Sequence, residues 1–300
     1  MSRSLRVGVN LFAHESFRAA AGPLFERGVV DALEWDVDDR WGFEGVERPR
    51  DVPRWVADLL DVYSEDDALY GHAVWFSLMS ARWEARQERW LEAFSVACSQ
   101  RRYRHLSEHF GFHTAKGFKR GTMFPVPYTE SAVRIGRDRL RLMKAAAGGV
   151  RIGAENSAIS LCAADAEQQG AFLGDVLGGD DDAFLLLDVH NVWTQCRNLG
   201  LSADVMLRRY PLERVREIHI SGGSWLKTSQ APGGSFRLDS HDGAVPSEAF
   251  ALLPSALALC PNAEVVFLEQ RGANLDTPAD IEQFQADFMH VRSIVEECCS

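Results

Sequence analysis

Short apolar runs alternate with longer amphipathic stretches along most of the chain. Eight runs read as strands: Leu5–Asn10, Val29–Trp35, Leu69–Leu78, Tyr103–His109, Val150–Glu155, Ala183–Val189, Val215–Ile220 and Val265–Glu269. Helical patterns lie between most of them, over Trp55–Val62, Trp83–Cys98, Ser131–Ala147, Ala166–Val176, Ala203–Arg209 and Ser247–Ala258. A last helix is the clearest. Thr277 stands at its N-cap, Pro278 at its first position and Asp280 in its first turn. Ile281, Phe284, Phe288, Val291 and Val295 then recur close to a 3.6-residue period, which gives one apolar face to pack on a sheet.

Strands alternating with helices predict a parallel sheet covered by helices. Eight strands also close a (β/α)8 barrel, whose core is usually about 250 residues. The competitor, a doubly wound open sheet, usually has a Gly-rich phosphate turn after its first strand. Here that strand runs into Asn10-Leu11-Phe12-Ala13-His14, with no GxGxxG and no P-loop anywhere. The expected fold is therefore a TIM barrel, as a single domain over residues 1–300 with its site at the C-terminal mouth of the strands. There is no internal repeat. Gly178-Gly179, Gly222-Gly223 and Gly233-Gly234 are short enough to be loops.

Composition narrows the function. Apolar residues at 46% and charged residues at 25% are ordinary globular values and exclude a disordered chain. A chain of 300 residues needs no metal to fold, so a metal would be there for chemistry. The net charge of −11 argues against nonspecific nucleic-acid binding. The most basic stretch (Arg101, Arg102, Arg104, Lys116, Lys119, Arg120) reads as a solvated helix end and loop. No signal peptide is expected from the polar start, and no apolar run reaches the ~20 residues of a membrane span. Six scattered cysteines without a CxxC pair read as reduced thiols in a cytoplasm, with Cys298-Cys299 an incidental tail.

The informative pattern is His, Asp and Glu at the strand ends: His72, His105, His109, Glu155, Asp188, His190, His219, Asp239, His241 and Glu269. Taken singly, each has a plainer reading as a hydrogen-bonded core residue or a helix cap. Together, at a barrel mouth, they would repel and desolvate one another unless positive charge sat between them. Divalent metals supply it, and imidazole with carboxylate suits iron, zinc or manganese. Asp239 with His241, Asp188 with His190, and His105 with His109 would each share a face if extended. His14, His113 and His290 fall outside the pattern. There is no GxSxG elbow for nucleophilic catalysis, and Cys196 is expected on a helix.

The succession GHAVWFSL, LSEHF, AEN, LLLDVHN, EIHISG and LDSHDGAVP resembles the multinuclear non-heme iron-dependent oxidative enzymes, over roughly residues 5–270. These modify ribosomally made peptides, as in methanobactin and thiaglutamate biosynthesis. They share the xylose-isomerase-like TIM barrel, with a metal layout similar to that of endonuclease IV. The resemblance implies two or three iron ions of mixed Fe(II)/Fe(III) valence, with O2 as co-substrate. It implies one metal on His72, His109 and Glu155, with Glu155 bridging to a second completed by Asp188, His219 and Glu269. A third would use Asp239, His241 and, from the loop after Asp188, Asn191. His105 and Glu108 would stand behind the ligands or face the substrate, and Glu34 would look into the mouth.

The chain departs from the family's pattern at His190, usually Asn, at Gly222-Gly223, where a His is common, and at Gln270-Arg271, where Glu-x-Asp is usual. His190 would add a ligand or alter the third site, and Arg271 would bind a substrate carboxylate. The implied substrate is a precursor peptide, modified most commonly at cysteine, with a leader-recognising partner protein. Trp225, Lys227 and the stretch to Gly234 make a candidate lid or an ordinary surface loop. The competing readings are a metal-dependent sugar isomerase or phosphodiester hydrolase on the same barrel, and a barrel that has lost its reaction.

Overall fold

The computed structural model describes residues 5–38, 41, 52–115, 118–229 and 232–299. Residues 1–4 of the polar start, Lys116 and the side chains of Lys119 and Arg120 lie outside the described part, as do residues 230–231 of the candidate lid.

The eight expected strands are present and their sheet is closed. In chain order the strands are β1 (Arg6–Leu11), β2 (Ala32–Asp36), β3 (Leu69–Ala73), β4 (Leu106–His109), β5 (Phe112–Ala115), β6 (Phe118–Phe124), β7 (Ile152–Glu155), β8 (Phe184–Asp188), β9 (Val215–Ser221), β10 (Trp225–Lys227), β11 (Ser235–Arg237) and β12 (Val265–Glu269). The barrel order is β1-β12-β9-β8-β7-β4-β3-β2, every pairing parallel. Two antiparallel hairpins, β5–β6 and β10–β11, leave the strand ends at the mouth.

The helices are α1 (Glu15–Glu26), α2 (Arg54–Glu65), α3 (Ala85–Gln100), α4 (Glu130–Ala146), α5 (Ala163–Leu177), α6 (Val189–Leu199), α7 (Ala203–Leu207), α8 (Ser247–Leu259) and α9 (Pro278–Cys299). The sequence pattern misses α1, whose middle is a run of Ala and Gly with Pro23 inside it. It also misses α6 as an element, because no loop precedes it: Asp188 ends β8 and caps α6 through its own side chain. The strands β8 and β12 are buried along their whole length, between helices and barrel interior. Each fully buried Leu, Val or Phe there stabilises the fold by about 1.5–3 kcal/mol. Outside the barrel α9 packs on α1, with Phe17 and Phe284 edge to face at 5.9 Å.

Inside, the lower barrel is plugged by Ala32, Tyr70, Val265 and Phe267. Gly8 makes room for that plug: a Cβ there would stand 2.4 Å from the Phe267 ring. The plug leaves the inward positions at the C-terminal ends of the strands for polar side chains. Among the described residues no helix is long and apolar enough to cross a membrane, and all six cysteines are free thiols. Arg101, Arg102 and Arg104 pair with Asp61, Asp67 and Glu264.

Candidate metal centre

Period two along each strand aims alternate residues inward. This brings His72 of β3, His109 of β4, Glu155 of β7, Asp188 of β8, His219 of β9 and Glu269 of β12 to one mouth. Glu155 Oε2 lies 3.5 Å from His72 Nε2 and 3.3 Å from His109 Nε2. Glu269 Oε2 lies 3.0 Å from His219 Nδ1 and 3.8 Å from His241 Nε2, and His241 Nε2 lies 2.8 Å from Asp239 Oδ1. Donor atoms converge in three overlapping groups: His72, His109 and Glu155; Glu155, Asp188 and His219; Asp188, His241 and Glu269.

The environment of these atoms tests whether metals fit. Asp188 Oδ2, Asn191 Oδ1, His219 Nδ1, Asp239 Oδ1, His241 Nε2 and Glu269 Oε2 are buried, and none makes a hydrogen bond of well-aligned geometry. Several are nevertheless 2.8–3.8 Å apart, close without the angle that a shared proton needs. A metal bonded at about 2.0–2.2 Å to two neighbouring donors separates them by about 3 Å. Burial, then the neighbouring Asp188 carboxylate, raises Glu155 well above the usual carboxylate range; burial, then Asp239, does the same to Asp188. Burial lowers His72 and, with His72 beside it, holds His109 well below its ordinary value. Against the pull of burial, Glu269 and Glu34 hold His219 well above its ordinary value, and Asp239 and Glu269 bring His241 to about 10. A cation between the donors would relieve both strains, replacing protons on the carboxylates and on the imidazoles.

Supporting residues fix the orientation of the donors. Ser107 Oγ bonds His72 Nδ1 at 2.7 Å, which turns Nε2 toward Glu155. The Asn156 side chain clamps the Asp188 backbone at both N–H (2.7 Å) and carbonyl (3.0 Å). Asp188 Oδ1 accepts the Asn191 N–H at 2.8 Å, so that only Oδ2 faces the mouth. Glu217 is the functional neighbour that the sequence reading passed over. It is fully buried, accepts from His219 Nε2 at 2.7 Å and also bonds His105, which turns His219 Nδ1 toward Glu269. Its position two residues before His219 on one strand was the available signal. Glu34, as expected, points inward, although from the middle of β2 and not its end. Its Oε2 accepts from Asn10 at 2.8 Å and its Oε1 lies 3.2 Å from His219 Nε2.

Some of the other expected residues lie elsewhere than expected, and others take one of their expected places. Asn191 is not on a loop with Asp239 and His241. It lies in the first turn of α6, and donates to Glu155 Oε1 at 2.9 Å. Asp239 and His241 are not on a strand: they follow β11, and His241 takes a left-handed φ of 52° that aims its ring at Asp239. Of its two expected places His105 takes the one behind the donors: it packs deep in the barrel between Tyr70 (4.7 Å) and Phe184 (4.3 Å) and bonds Glu217, which bonds His219. Glu108 points out of the barrel, its Oε2 accepting the Phe76 N–H at 3.3 Å. Burial and the nearby Asp38 raise its carboxyl well above the usual range. His190 is fully buried on α6, with Nδ1 3.0 Å from Ser221 Oγ and 3.4 Å from Asp239 Oδ1, so it braces Asp239 from behind. His113, left out of the pattern, is buried beside His109.

The remaining departures from the family pattern also have places. At Gly222 a Cβ would stand 2.1 Å from the Gly243 carbonyl oxygen, and at Gly223 2.2 Å from that of Leu238. The segment carrying Asp239 and His241 fills the space of a side chain there. Arg271 is exposed at the rim, and its N–H donates to the His241 carbonyl at 2.8 Å. Trp225 and Lys227 belong to the β10–β11 hairpin. Arg237 of that hairpin lies against Trp193 and Trp225 and reaches His190 Nε2 at 3.4 Å.

Fold and donor set define a class: a (β/α)8 barrel with candidate metal-binding clusters at its mouth. Solved structures share the fold. The chain is similar to a D-allulose 3-epimerase from Methylomonas sp. (TM-score 0.59, 16% identity, covering 99% of this chain and 98% of that one). It is also similar to endonuclease IV from Thermus thermophilus (TM-score 0.53, 16% identity, 97% and 99% covered). At the sequence level, the model of the family described as RiPP precursor modification enzyme MbnB/TglH/ChrH matches residues 51–295. The chain belongs to that family, whose members modify the precursors of ribosomally made peptides. Among curated relatives, a UPF0276 protein from Rhizorhabdus wittichii is 29% identical over 153 residues (51% of this chain, 52% of the relative). One from Anaeromyxobacter sp. is 27% identical over 195 residues (65% of each). The chain aligns with about half the length of the first of these relatives.

Proposed function

We propose that this chain is an iron- and O2-dependent enzyme that oxidatively modifies a ribosomally synthesised precursor peptide at a cysteine. The observation that carries the reading is the set of buried, hydrogen-bond-free donor atoms at the mouth, in a chain of this family. The donors are imidazole and carboxylate with no thiolate, a set that suits iron and leaves the cysteine ligand to the substrate. His72, His109 and Glu155 would hold one iron. Glu155, Asp188, His219 and Glu269 would hold a second, and His241 with Asp239, Asp188 and Glu269 a third. Bound irons of mixed valence would supply Lewis acidity toward a substrate thiolate and one-electron oxidation with O2.

The chain's own residues do the rest. The His109 and His241 side chains are 20% and 19% exposed, whereas the His219 side chain is closed off, so the substrate enters on the His109–His241 side. Arg271 at the rim is placed to meet a peptide carboxylate. The β10–β11 hairpin, with Trp225 exposed and Arg237 touching His190, covers the Asp239 side, and a partner protein that recognises the leader would dock outside it. Glu217 keeps the proton of His219 on Nε2, away from the mouth.

Protein made in iron-rich medium and purified without air tests the reading, by metal analysis and Mössbauer spectra. The expected result is roughly two or three irons per chain, part Fe(II) and part Fe(III). O2 uptake and a mass change in a cysteine-containing precursor peptide should accompany it. Stoichiometric zinc or manganese, with no O2 consumed, would replace this reading with a metal-dependent isomerase or hydrolase.

A further inference from the structure

A second concentration of ligands lies beside the central cluster, in the wall between β4, β5 and the segment after β3. That segment folds over the outer face of β4. Asp38 holds it, accepting the N–H groups of Val74 (3.0 Å) and Trp75 (2.7 Å) and the Trp90 indole (2.9 Å). Glu108 lies under it. One oxygen, Oε2, accepts from Phe76, and the other, Oε1, is buried with no hydrogen bond. The nearby Arg86 guanidinium gives its bonds to the carbonyls of Trp75 (2.6 Å) and Phe76 (2.9 Å) instead. His113 enters from β5. Its N–H bonds Ser77 Oγ at 2.9 Å, and its ring lies 5.6 Å from that of Trp75 and 5.4 Å from that of His109. His109 stands between the two concentrations: Nε2 faces Glu155 at 3.3 Å, and Nδ1 is buried without a hydrogen bond.

One donor atom from each of Glu108, His109 and His113 lies within 4.8 Å of the other two. We propose that these three residues form a further metal site, distinct from the central cluster, that takes one divalent cation suited to nitrogen and oxygen donors. Two imidazoles and a carboxylate match the preference of Zn2+, and three protein ligands leave a fourth position for water. The cation would satisfy Glu108 Oε1 and tie β5 to the barrel wall next to His109. The site does not need the oxidative reading, since Glu108 and His113 lie outside the central donor set; His109 is shared, and with both sites filled its ring would bridge them as an imidazolate, its N–H proton released to solvent.

Zinc is the probe, because it binds without redox change. Crystals of the zinc-loaded protein should show an anomalous scattering peak among Glu108, His109 and His113, separate from any peak beside Glu155 and Asp188. In solution, metal-free protein titrated with Zn2+ should bind about one equivalent more than either His113→Gln or Glu108→Gln, while Asp188→Asn keeps that equivalent. No peak among the three residues, at zinc levels that fill the central cluster, overturns the proposal. So does wild-type stoichiometry in both Gln variants. If a variant does not fold, the wild-type crystals decide alone. A peak here with an empty central cluster upholds this site and overturns the central metal centre.

Discussion

Two carboxylates, 2.7 and 3.0 Å from the two nitrogens of one imidazole, have opposite surroundings. Glu217, deep in the barrel, has both oxygens bonded to histidines, His105 on one side and His219 on the other. Glu269, at the mouth, lies 3.0 Å from the other nitrogen of His219, yet its Oε2 makes no hydrogen bond. Both residues are buried glutamates beside one histidine. The difference is that well-aligned protons connect the lower pair, while the upper pair is close without that alignment and would suit a shared metal. The lower layer orients the imidazole and the upper layer presents it, a division of labour common where histidine binds metal.

The comparison breaks most sharply at a mouth carboxylate. Asp188→Ala removes the carboxylate that joins the Glu155 and the Glu269 groups, and with it the Oδ1 bond to the Asn191 N–H. It should lower metal content and reduce turnover by about a thousandfold, several kcal/mol of metal-derived stabilisation. Metal analysis of the purified variant and single-turnover assays check it. A variant with full metal and full turnover would remove Asp188 from the centre. The same experiment in the lower layer gives a smaller effect. Glu217→Gln keeps the shape but loses a charge-assisted bond to His219, and should weaken metal binding by about 10–100-fold. The metal should still reach full occupancy at higher concentration. Competition with a chelator of known affinity measures this, and an effect as large as that of Asp188→Ala would abolish the distinction between the layers.

The same contrast shows where the sequence was readable. The barrel was legible because each strand is a short apolar run and each intervening helix, with few exceptions, is amphipathic. Site residues at strand ends were legible because period two fixes which way they point: His72, His109, Glu155, Asp188, His219 and Glu269 share the mouth. Glu217 obeys the same rule and was still missed, since a residue one pair deeper reads as core until its histidine partners are seen. Asp239 and His241 reach the mouth from a loop, where direction is set by a left-handed residue and by bonds such as Ser224 Oγ to Asp242 at 2.8 Å. No periodicity encodes that. Asn191 was expected on a loop, and His190 on one face with Asp188 if extended; both lie otherwise for one reason: strand passes into helix at Asp188 without a loop, which rotates the following residues by the helical 100° instead of the extended 180°. His113 falls outside the strand-end pattern because it sits on the β5–β6 hairpin, an insertion into the barrel pattern.

The smallest expected effect concerns protons, and its sign follows from which layer holds them. In the metal-free protein the Asp239 and Glu269 carboxylates outweigh burial and raise His241 from its ordinary 6.5 to about 10. A raised imidazole contributes stability that is fully present below 6.5 and is lost as pH rises toward 10. Glu155 and Asp188, raised by burial and by neighbouring carboxylates, act in the same direction: their protons, favoured in the fold, are also lost as pH rises. Metal-free protein should therefore unfold at lower temperature as pH increases from 6.5 to 9. A metal at the mouth must displace those same protons, so its apparent affinity should rise by about tenfold per pH unit for each proton released. Calorimetric titration of Zn2+ in buffers of different ionisation enthalpy counts the protons. Release in wild-type protein that falls in His241→Ala would assign the displaced proton to the mouth. Binding with no proton release across this range would mean that the mouth donors are already bare, and that the metal-free mouth does not hold protons on His241, Glu155 and Asp188.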